Sequence, residues 1–269
     1  SGHRRYPKDE VPRLRAITRA LESGYRASKV VTRTLEELQG LLNVQNLIEE
    51  KPEQPDLTYG QVSRELTIEK GIEAVHQYDD ELLNQNFFEL WNKEGPLTFI
   101  TDCVAPFIER LGNGWADKEL TISHEHFATE ILSDFLSAKW RQLNIRNNGP
   151  TVVLATLPDE THSLGLLMCA VVTSMADFKV VYLGINSPIE EIIKTTESCQ
   201  AQLLCLSLSS FIDPIDAECN LKQIRKNLDK EISMVAGGKG AINTAPEINR
   251  HNSFSDYYEW ITQFNIQSK

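Results

Sequence analysis

Four short apolar runs in the second half of the chain leave little choice of fold. TVVLA (Thr151–Ala155), KVVYLG (Lys179–Gly184), AQLLCLSLS (Ala201–Ser209) and ISMVAGG (Ile232–Gly238) each end in small or turn residues. Segments of helical length and pattern lie between them: Ser163–Asp177, Ile189–Glu197 and Asp216–Asp229. Buried strands alternating with helices predict a doubly wound parallel sheet, because a parallel pair needs a crossover and the helix supplies it. Such sheets bind ligands outside the carboxyl ends of their strands.

The residues at that edge are unusual in combination. The first strand runs into TLPDETHSLG (Thr156–Gly165), which places His162 at the handover from strand to helix. Ser207–Ser209 close the third strand, and Gly237-Gly238 close the fourth. A lone loop histidine is ordinary surface, but these neighbours at the same edge give it a different weight.

Ahead of the sheet the period is helical. Leu82, Leu83, Phe87, Phe88, Leu90 and Trp91 form one apolar stripe, broken at Gly95-Pro96. The pattern predicts a helix from Leu97 to about Leu111 bent or restarted at Pro106, punctuation at Gly112 and Gly114, and a last helix from near Ser123 to near Leu143. Several amphipathic helices joined by short turns predict a four-helix bundle. The first residues are different again. Helices are expected over Asp9–Glu22 and from Ser28 to Leu42, followed by the polar, proline-bearing stretch EEKPEQPDLTYGQ (Glu49–Gln61). The expected organisation is a basic head at 1–42, a linker at 43–61, a bundle at 62–145 and a sheet domain at 149–269.

Charge separates the head from the body. Nine Lys/Arg against three Asp/Glu give residues 1–33 a charge of +6, in a chain whose total is −11, so the remainder carries −17. A basic head on an acidic body is expected to meet an anionic partner. The five cysteines are scattered without C-x-x-C pairs, which predicts reduced thiols and no zinc site. No apolar run approaches the roughly 20 residues of a membrane helix, and the basic, polar N-terminal residues contain no apolar signal-peptide core. A cytoplasmic chain with no membrane partner is expected. No nucleophile elbow, P-loop or zinc-protease pattern is present, so no catalytic residue is nominated and an enzyme is not expected.

Glu160-Thr161-His162-Ser163-Leu164-Gly165 resembles the D/E-x-H-x-x-G signature of cobalamin-binding Rossmann-like domains. The 41 residues between Gly165 and Ser207, and the 27 between Ser209 and Gly237, are similar to that family's spacing for its S-x-L/T and G-G elements. One departure is Ser209, where Leu or Thr is usual. The resemblance implies that His162 is the axial cobalt ligand and Glu160 its hydrogen-bond partner. It also implies that Gly165, Ser207, Ser209, Gly237 and Gly238 line the channel for the cofactor's nucleotide tail. The chemistry suits the residue types: a neutral imidazole ligates cobalt, and an acid on its other nitrogen sets tautomer and basicity.

Trp115, nine residues, then Glu125-His126 is similar to the W-x9-E-H pattern in the cap of CarH-type and LitR-type cobalamin photoreceptors. That resemblance implies that Trp115, Glu125 and His126 line a pocket for the 5′-deoxyadenosyl group of adenosylcobalamin. In characterised members a histidine follows the tryptophan and captures cobalt after light removes the upper ligand. Here that position is Ala116, which leaves His124, His126 or water for the role. GHRRYPKDEVPRLRAITRALESGYRASKVV resembles the second half of a MerR-type winged helix. Arg4, Arg5 and Tyr6 would then contact DNA phosphates, with Arg13 a weaker candidate, and the recognition helix is expected ahead of the residues shown.

Together these resemblances imply a MerR-type, cobalamin-dependent transcriptional regulator. In that family the dark adenosylcobalamin form assembles as a tetramer on operator DNA, and light disperses it. A homo-oligomer, dimer or tetramer, is therefore expected. Two alternatives remain at this point: a corrinoid carrier for a methyltransferase, which shares the helical cap and the His-bearing sheet, and a light-independent cobalamin sensor, which Ala116 keeps open.

Overall fold

The computed structural model describes residues 13, 16–17, 31–35, 37–38, 59–241 and 245–267. The chain divides into two compact units, 1–62 and 63–269. In the first, Ala16, Ile17 and Leu38 are buried together with Leu35 against them. Arg13 donates from Nε to the Arg33 carbonyl at 2.7 Å and from Nη2 to the Val31 carbonyl at 2.7 Å. Thr34 and Glu37 form a reciprocal cap: Glu37 N donates to Thr34 Oγ1 and Thr34 N to Glu37 Oε2. Residues 31–33 are turn and bend, so the helix expected to run unbroken from Ser28 is interrupted there. Arg4, Arg5 and Tyr6, and most of the expected helix over Asp9–Glu22, lie outside the described residues.

The second unit begins with helices. They are α1 (Tyr59–Gln77), α2 (Asp80–Glu94), a helical stretch from Pro96 that ends as α3 (Ala105–Ala116), and α4 (Ile122–Asn144). Helix α1 starts inside the stretch expected to be linker. Asp79 caps α2 by accepting from Leu82 N at 2.9 Å, and Gly95, at φ 78°, ends it. The expected bend at Pro106 is a π-helical segment, Phe99–Val104, directly before α3. A widened turn there accommodates a proline that has no N–H to give. Gly112 and Gly114 do not punctuate the chain; both lie within α3. At Gly114 a Cβ would stand 2.8 Å from Leu120 Cδ1, so the glycine lets the returning loop pack onto the helix.

The sheet follows. Its elements are β1 (Thr151–Thr156), α5 (Leu164–Met175), β2 (Lys179–Gly184), α6 (Ile189–Ser198), β3 (Leu203–Ser207), α7 (Pro214–Asn227), β4 (Ser233–Gly237), β5 (Asn249–His251) and α8 (Phe254–Gln267). The order is β2-β1-β3-β4-β5, and every pairing is parallel. Alternate residues serve opposite faces. Val152, Leu154, Leu203, Cys205 and Val235 share a core with α5, α8 and the bundle, whereas Val153, Ala155, Leu204, Leu206, Met234 and Ala236 share another with α6 and α7. The bundle docks through α4. Asn144 exchanges two hydrogen bonds with the Val180 backbone on edge strand β2, and Trp140 stacks on Tyr182 at 5.5 Å. Neither β5 nor α8 was among the expected elements.

Helix α8 closes one face over a polar knot. Tyr257 OH lies 2.8 Å from Thr173 Oγ1 and 3.2 Å from Cys205 Sγ, and burial pushes both the Tyr257 phenol and the Cys205 thiol up. His251 stands beside it, ring to ring with Tyr257 and Trp260. Burial lowers its pKa from 6.5, against a smaller opposing pull from Asp256. A depressed imidazole pKa means that the unfolded chain binds the proton more readily than the folded one. The contribution is therefore complete above pH 6.5 and is lost as pH falls through the folded value. Unfolding midpoints measured at pH 8 and pH 5.5 are expected to converge in His251→Phe relative to the parent; an undiminished difference would remove His251 as its source.

Candidate functional site

The strand order reverses between β1 and β3, and the loops after these two strands meet at the carboxyl edge of the sheet. That switch point is where open α/β sheets bind ligands. Glu160 and His162 come from the loop after β1, and Ser209 and Phe211 from the loop after β3.

Glu160 is 2% exposed and organises the edge. Its Oε1 accepts from His162 N at 2.9 Å and faces His162 Nδ1 at 2.7 Å, while its Oε2 accepts from Ser209 N at 2.7 Å. Burial alone would raise this carboxyl. The donors from His162 and Ser209 outweigh it and hold the group below the usual carboxylate range. The loop is held from behind as well. Thr156 Oγ1 and Asn186 N both donate to the Glu160 carbonyl, and Asn186 N is 2.8 Å from Thr156 Oγ1.

The tautomer of His162 follows. An ionised carboxylate only accepts, so the nitrogen 2.7 Å from it carries the proton. The lone pair of the neutral ring is then on Nε2. The side chain is 49% exposed, and Nε2 is the ring nitrogen turned away from Glu160. Ser209 Oγ lies 3.1 Å from the same Nδ1, and the Phe211 ring stacks on the imidazole.

The glycines and serines shape the floor. A Cβ on Gly165 would sit 2.8 Å from Ser207 Oγ, which brings the start of α5 against the end of β3. Gly238, at φ 100°, lies so close to Leu208 that a Cβ would stand 2.2 Å from its carbonyl oxygen. Gly237 is roomier, with nothing nearer than His251 O at 4.0 Å. Gly240 and Phe211 were not nominated from the sequence. A Cβ on Gly240 would meet Ser209 O at 2.1 Å, and the signal available for it was the third glycine of GGKG.

Glu160, His162, Gly165, Ser207, Ser209, Gly237 and Gly238 are thus gathered at one edge. Trp115, Glu125 and His126 are on the bundle instead. Trp115 is 55% exposed at the end of α3. Glu125 and His126 lie in the first turns of α4, with His126 Nε2 3.6 Å from Glu125 Oε2. His124 has another use: its Nδ1 accepts from Thr121 N at 3.1 Å, and its ring stacks on Tyr78 at 4.6 Å. No hydrogen bond or ring contact joins the bundle residues to the sheet-edge residues among those described.

Comparison with known proteins agrees with this geometry. Residues 150–258 match a family model described as a B12 binding domain, and residues 67–138 match a second model of the same description. The chain is 22% identical over 246 residues to the HTH-type transcriptional repressor CarH of Myxococcus xanthus, covering 90% of this chain and 78% of that protein. It is 24% identical over 184 residues to the trimethylamine corrinoid protein of Methanosarcina barkeri, covering 65% and 84%. The solved monomethylamine corrinoid protein of Methanosarcina barkeri shares the fold at a TM-score of 0.57 and 12% identity, covering 74% of this chain and 99% of that one. The coarse function is cobalamin binding on a helical cap and a Rossmann-like sheet.

The site fits a corrinoid. Among the described residues no group of three or more His, Cys, Asp or Glu side chains is placed to hold a metal ion. The edge instead offers the half-exposed His162 imidazole, held at Nδ1, which suits a metal that brings its equatorial ligands in a macrocycle. The glycines around it leave backbone where side chains would otherwise stand. Among the described residues no helix is long and apolar enough to cross a membrane.

Proposed function

We propose that this chain is a cobalamin-dependent transcriptional regulator and not an enzyme, with bound adenosylcobalamin controlling its assembly and its hold on DNA. One observation carries the regulator over the carrier. The likeness to the Myxococcus repressor spans 246 residues, more than the second unit (63–269) contains, so it reaches into the basic head. The likeness to the trimethylamine corrinoid protein spans 184 residues.

Adenosylcobalamin supplies a cobalt–carbon bond that light breaks. Everything else falls to the chain. His162 would hold the cobalt through Nε2, and Glu160 holds the proton on Nδ1, which leaves the lone pair on Nε2. Gly237 leaves open space for the tail, Gly165, Ser207 and Gly238 shape its surroundings by close packing, and Ser209 supports His162. Trp115, Glu125 and His126 cover the upper ligand from the bundle. Contacts from Trp115, Glu125 and His126 that would exist only with that group bound would tie the favoured assembly to the state of the cofactor. Arg4, Arg5 and Tyr6 meet phosphates; Arg13 is the weaker candidate, its guanidinium already donating to the Val31 and Arg33 carbonyls.

The test uses the chain loaded with adenosylcobalamin in the dark. Dimers or tetramers are expected in sedimentation, dispersing on illumination. Duplex DNA binding should weaken with salt, with a log–log slope of about −2 for two phosphate contacts per head. Deleting residues 1–42 should abolish that binding while leaving the cofactor bound. A chain that ignores DNA and keeps one assembly state, yet accepts a methyl group on its corrinoid from a methyltransferase, would be a carrier. The bundle and sheet favour that second reading to the extent that they match nearly the whole of a corrinoid protein's length.

A further inference from the structure

Phe211 is 78% exposed, an expensive place for a large apolar ring. The ring is nevertheless engaged. It stacks on the His162 imidazole with centroids 4.7 Å apart and planes 13° from parallel. Ser209 links the two residues: its Oγ lies 3.1 Å from His162 Nδ1 and accepts from Phe211 N at 3.2 Å. The imidazole is therefore held in two ways. Glu160 Oε1 and Ser209 Oγ fix the Nδ1 vertex, and Phe211 fixes the face.

These two restraints are not equivalent. Hydrogen bonds at one vertex allow the ring to swing about that vertex, whereas a stacked ring sets its plane. The Nε2 lone pair lies in that plane, so a ring beside the imidazole leaves the approach to Nε2 open. An axial imidazole stands upright on the equatorial plane of its metal. A phenyl ring parallel to it must then present an edge to the underside of the macrocycle. Ile215 and Ile185, 78% and 41% exposed, follow the ends of β3 and β2 at the same edge of the sheet.

We infer that Phe211, tethered through Ser209, is a positioning residue that sets the plane of His162 and gives the underside of the macrocycle an apolar edge to rest on. This rests on the reading of His162 as the axial ligand. It also gives Ser209 a purpose where the cobalamin-binding signature has Leu or Thr: a Leu would bring no hydroxyl to contact the ligand histidine and take the Phe211 N–H.

The experiment compares the parent with Phe211→Ala, Phe211→Leu, Phe211→Tyr and Ser209→Ala. In the cofactor-free proteins, NMR is expected to show the His162 ring protons moving downfield in Phe211→Ala as the ring current is lost, and staying in place in Phe211→Tyr. With hydroxocobalamin, Phe211→Ala should bind about tenfold more weakly. In the reduced Co(II) form of protein carrying ¹⁵N-labelled histidine, electron paramagnetic resonance should show part of its population without the ¹⁵N coupling, which tells His162 from the cofactor's own benzimidazole. Phe211→Leu restores apolar area but no stack, so it should recover affinity and not the coupling. Ser209→Ala should shift the same readouts in the same direction, and less than additively with Phe211→Ala. Parent-like affinity and full nitrogen coupling in Phe211→Ala would overturn the inference while leaving His162 as the ligand. A parent that binds no cobalamin, or binds it without nitrogen coupling, would remove the axial-ligand reading itself. Because Phe211 is exposed, thermal unfolding is expected to be unchanged in the three Phe211 variants.

Discussion

His162→Ala is expected to fold as the parent does and to lose cobalamin by on the order of 100-fold or more. The two halves of that result have separate causes. The Glu160 carboxylate is 2% exposed and cannot be left without donors. Two of its donors are backbone groups, His162 N and Ser209 N, and both survive the substitution. What disappears is the imidazole, whose side chain is 49% exposed and contributes little burial. Stability should stay within about 0.5 kcal/mol. The cofactor, in contrast, loses the imidazole that would hold its cobalt. Replacing a mere hydrogen-bond partner of a metal ligand already costs 10–100-fold, and loss of the ligand should cost at least the upper end of that range. Denaturant unfolding, equilibrium binding of hydroxocobalamin and the Co(II) paramagnetic spectrum provide the three readouts. A bound cofactor with parent affinity and nitrogen coupling would mean that His162 is not the ligand. Glu160→Gln supplies the converse. Its amide would point an NH₂ at either the His162 donors or Ser209 N, so that variant should be destabilised even without cofactor.

The sequence announces the sheet because β1 to β4 are covered on both faces and so read as unbroken apolar runs. Strand β5 escapes for the opposite reason. It is the three polar residues Asn249–His251 on an edge, and nothing in their composition marks a strand. Helix α8 follows it directly; Phe254, Tyr257, Tyr258, Ile261 and Phe264 do recur at helical spacing and pack on the core, a period the sequence reading passed over. Gly112 and Gly114 misled because a glycine tolerated within a helix for packing looks the same as one that ends it. At the site, the nominated residues after β1, β3 and β4 were legible through spacing: a parallel sheet returns each strand end to the same edge, so fixed intervals become contacts. Phe211 was not, because its importance lies in a ring-to-ring contact that exists only once the β1 and β3 loops meet.

Gly238 and Gly237 are adjacent, and substitution is expected to separate them sharply. Gly238 is at φ 100°, where a side chain is strained, and its Cβ would stand 2.2 Å from the Leu208 carbonyl oxygen. That oxygen belongs to backbone and is itself the acceptor of Gly240 N at 3.1 Å, so it cannot turn away. Gly238→Val must therefore push the loop after β4 off the end of β3. The conformational strain alone costs about 1–3 kcal/mol, and the displaced backbone adds to it. Leu208 precedes Ser209, whose N–H holds Glu160, so the push is transmitted to the His162 loop. Unfolding should move by about 3 kcal/mol or more, with cofactor retention lost alongside it. Gly237→Val should behave differently. Its Cβ has nothing nearer than 4.0 Å, so the cofactor-free protein should lose less than about 1 kcal/mol. If that open space is where the nucleotide tail enters, the same substitution should cost cobalamin affinity out of proportion to stability. Parent-like affinity in Gly237→Val would move the tail elsewhere, and a harmless Gly238→Val would mean that the β3–β4 junction yields where the geometry says it cannot.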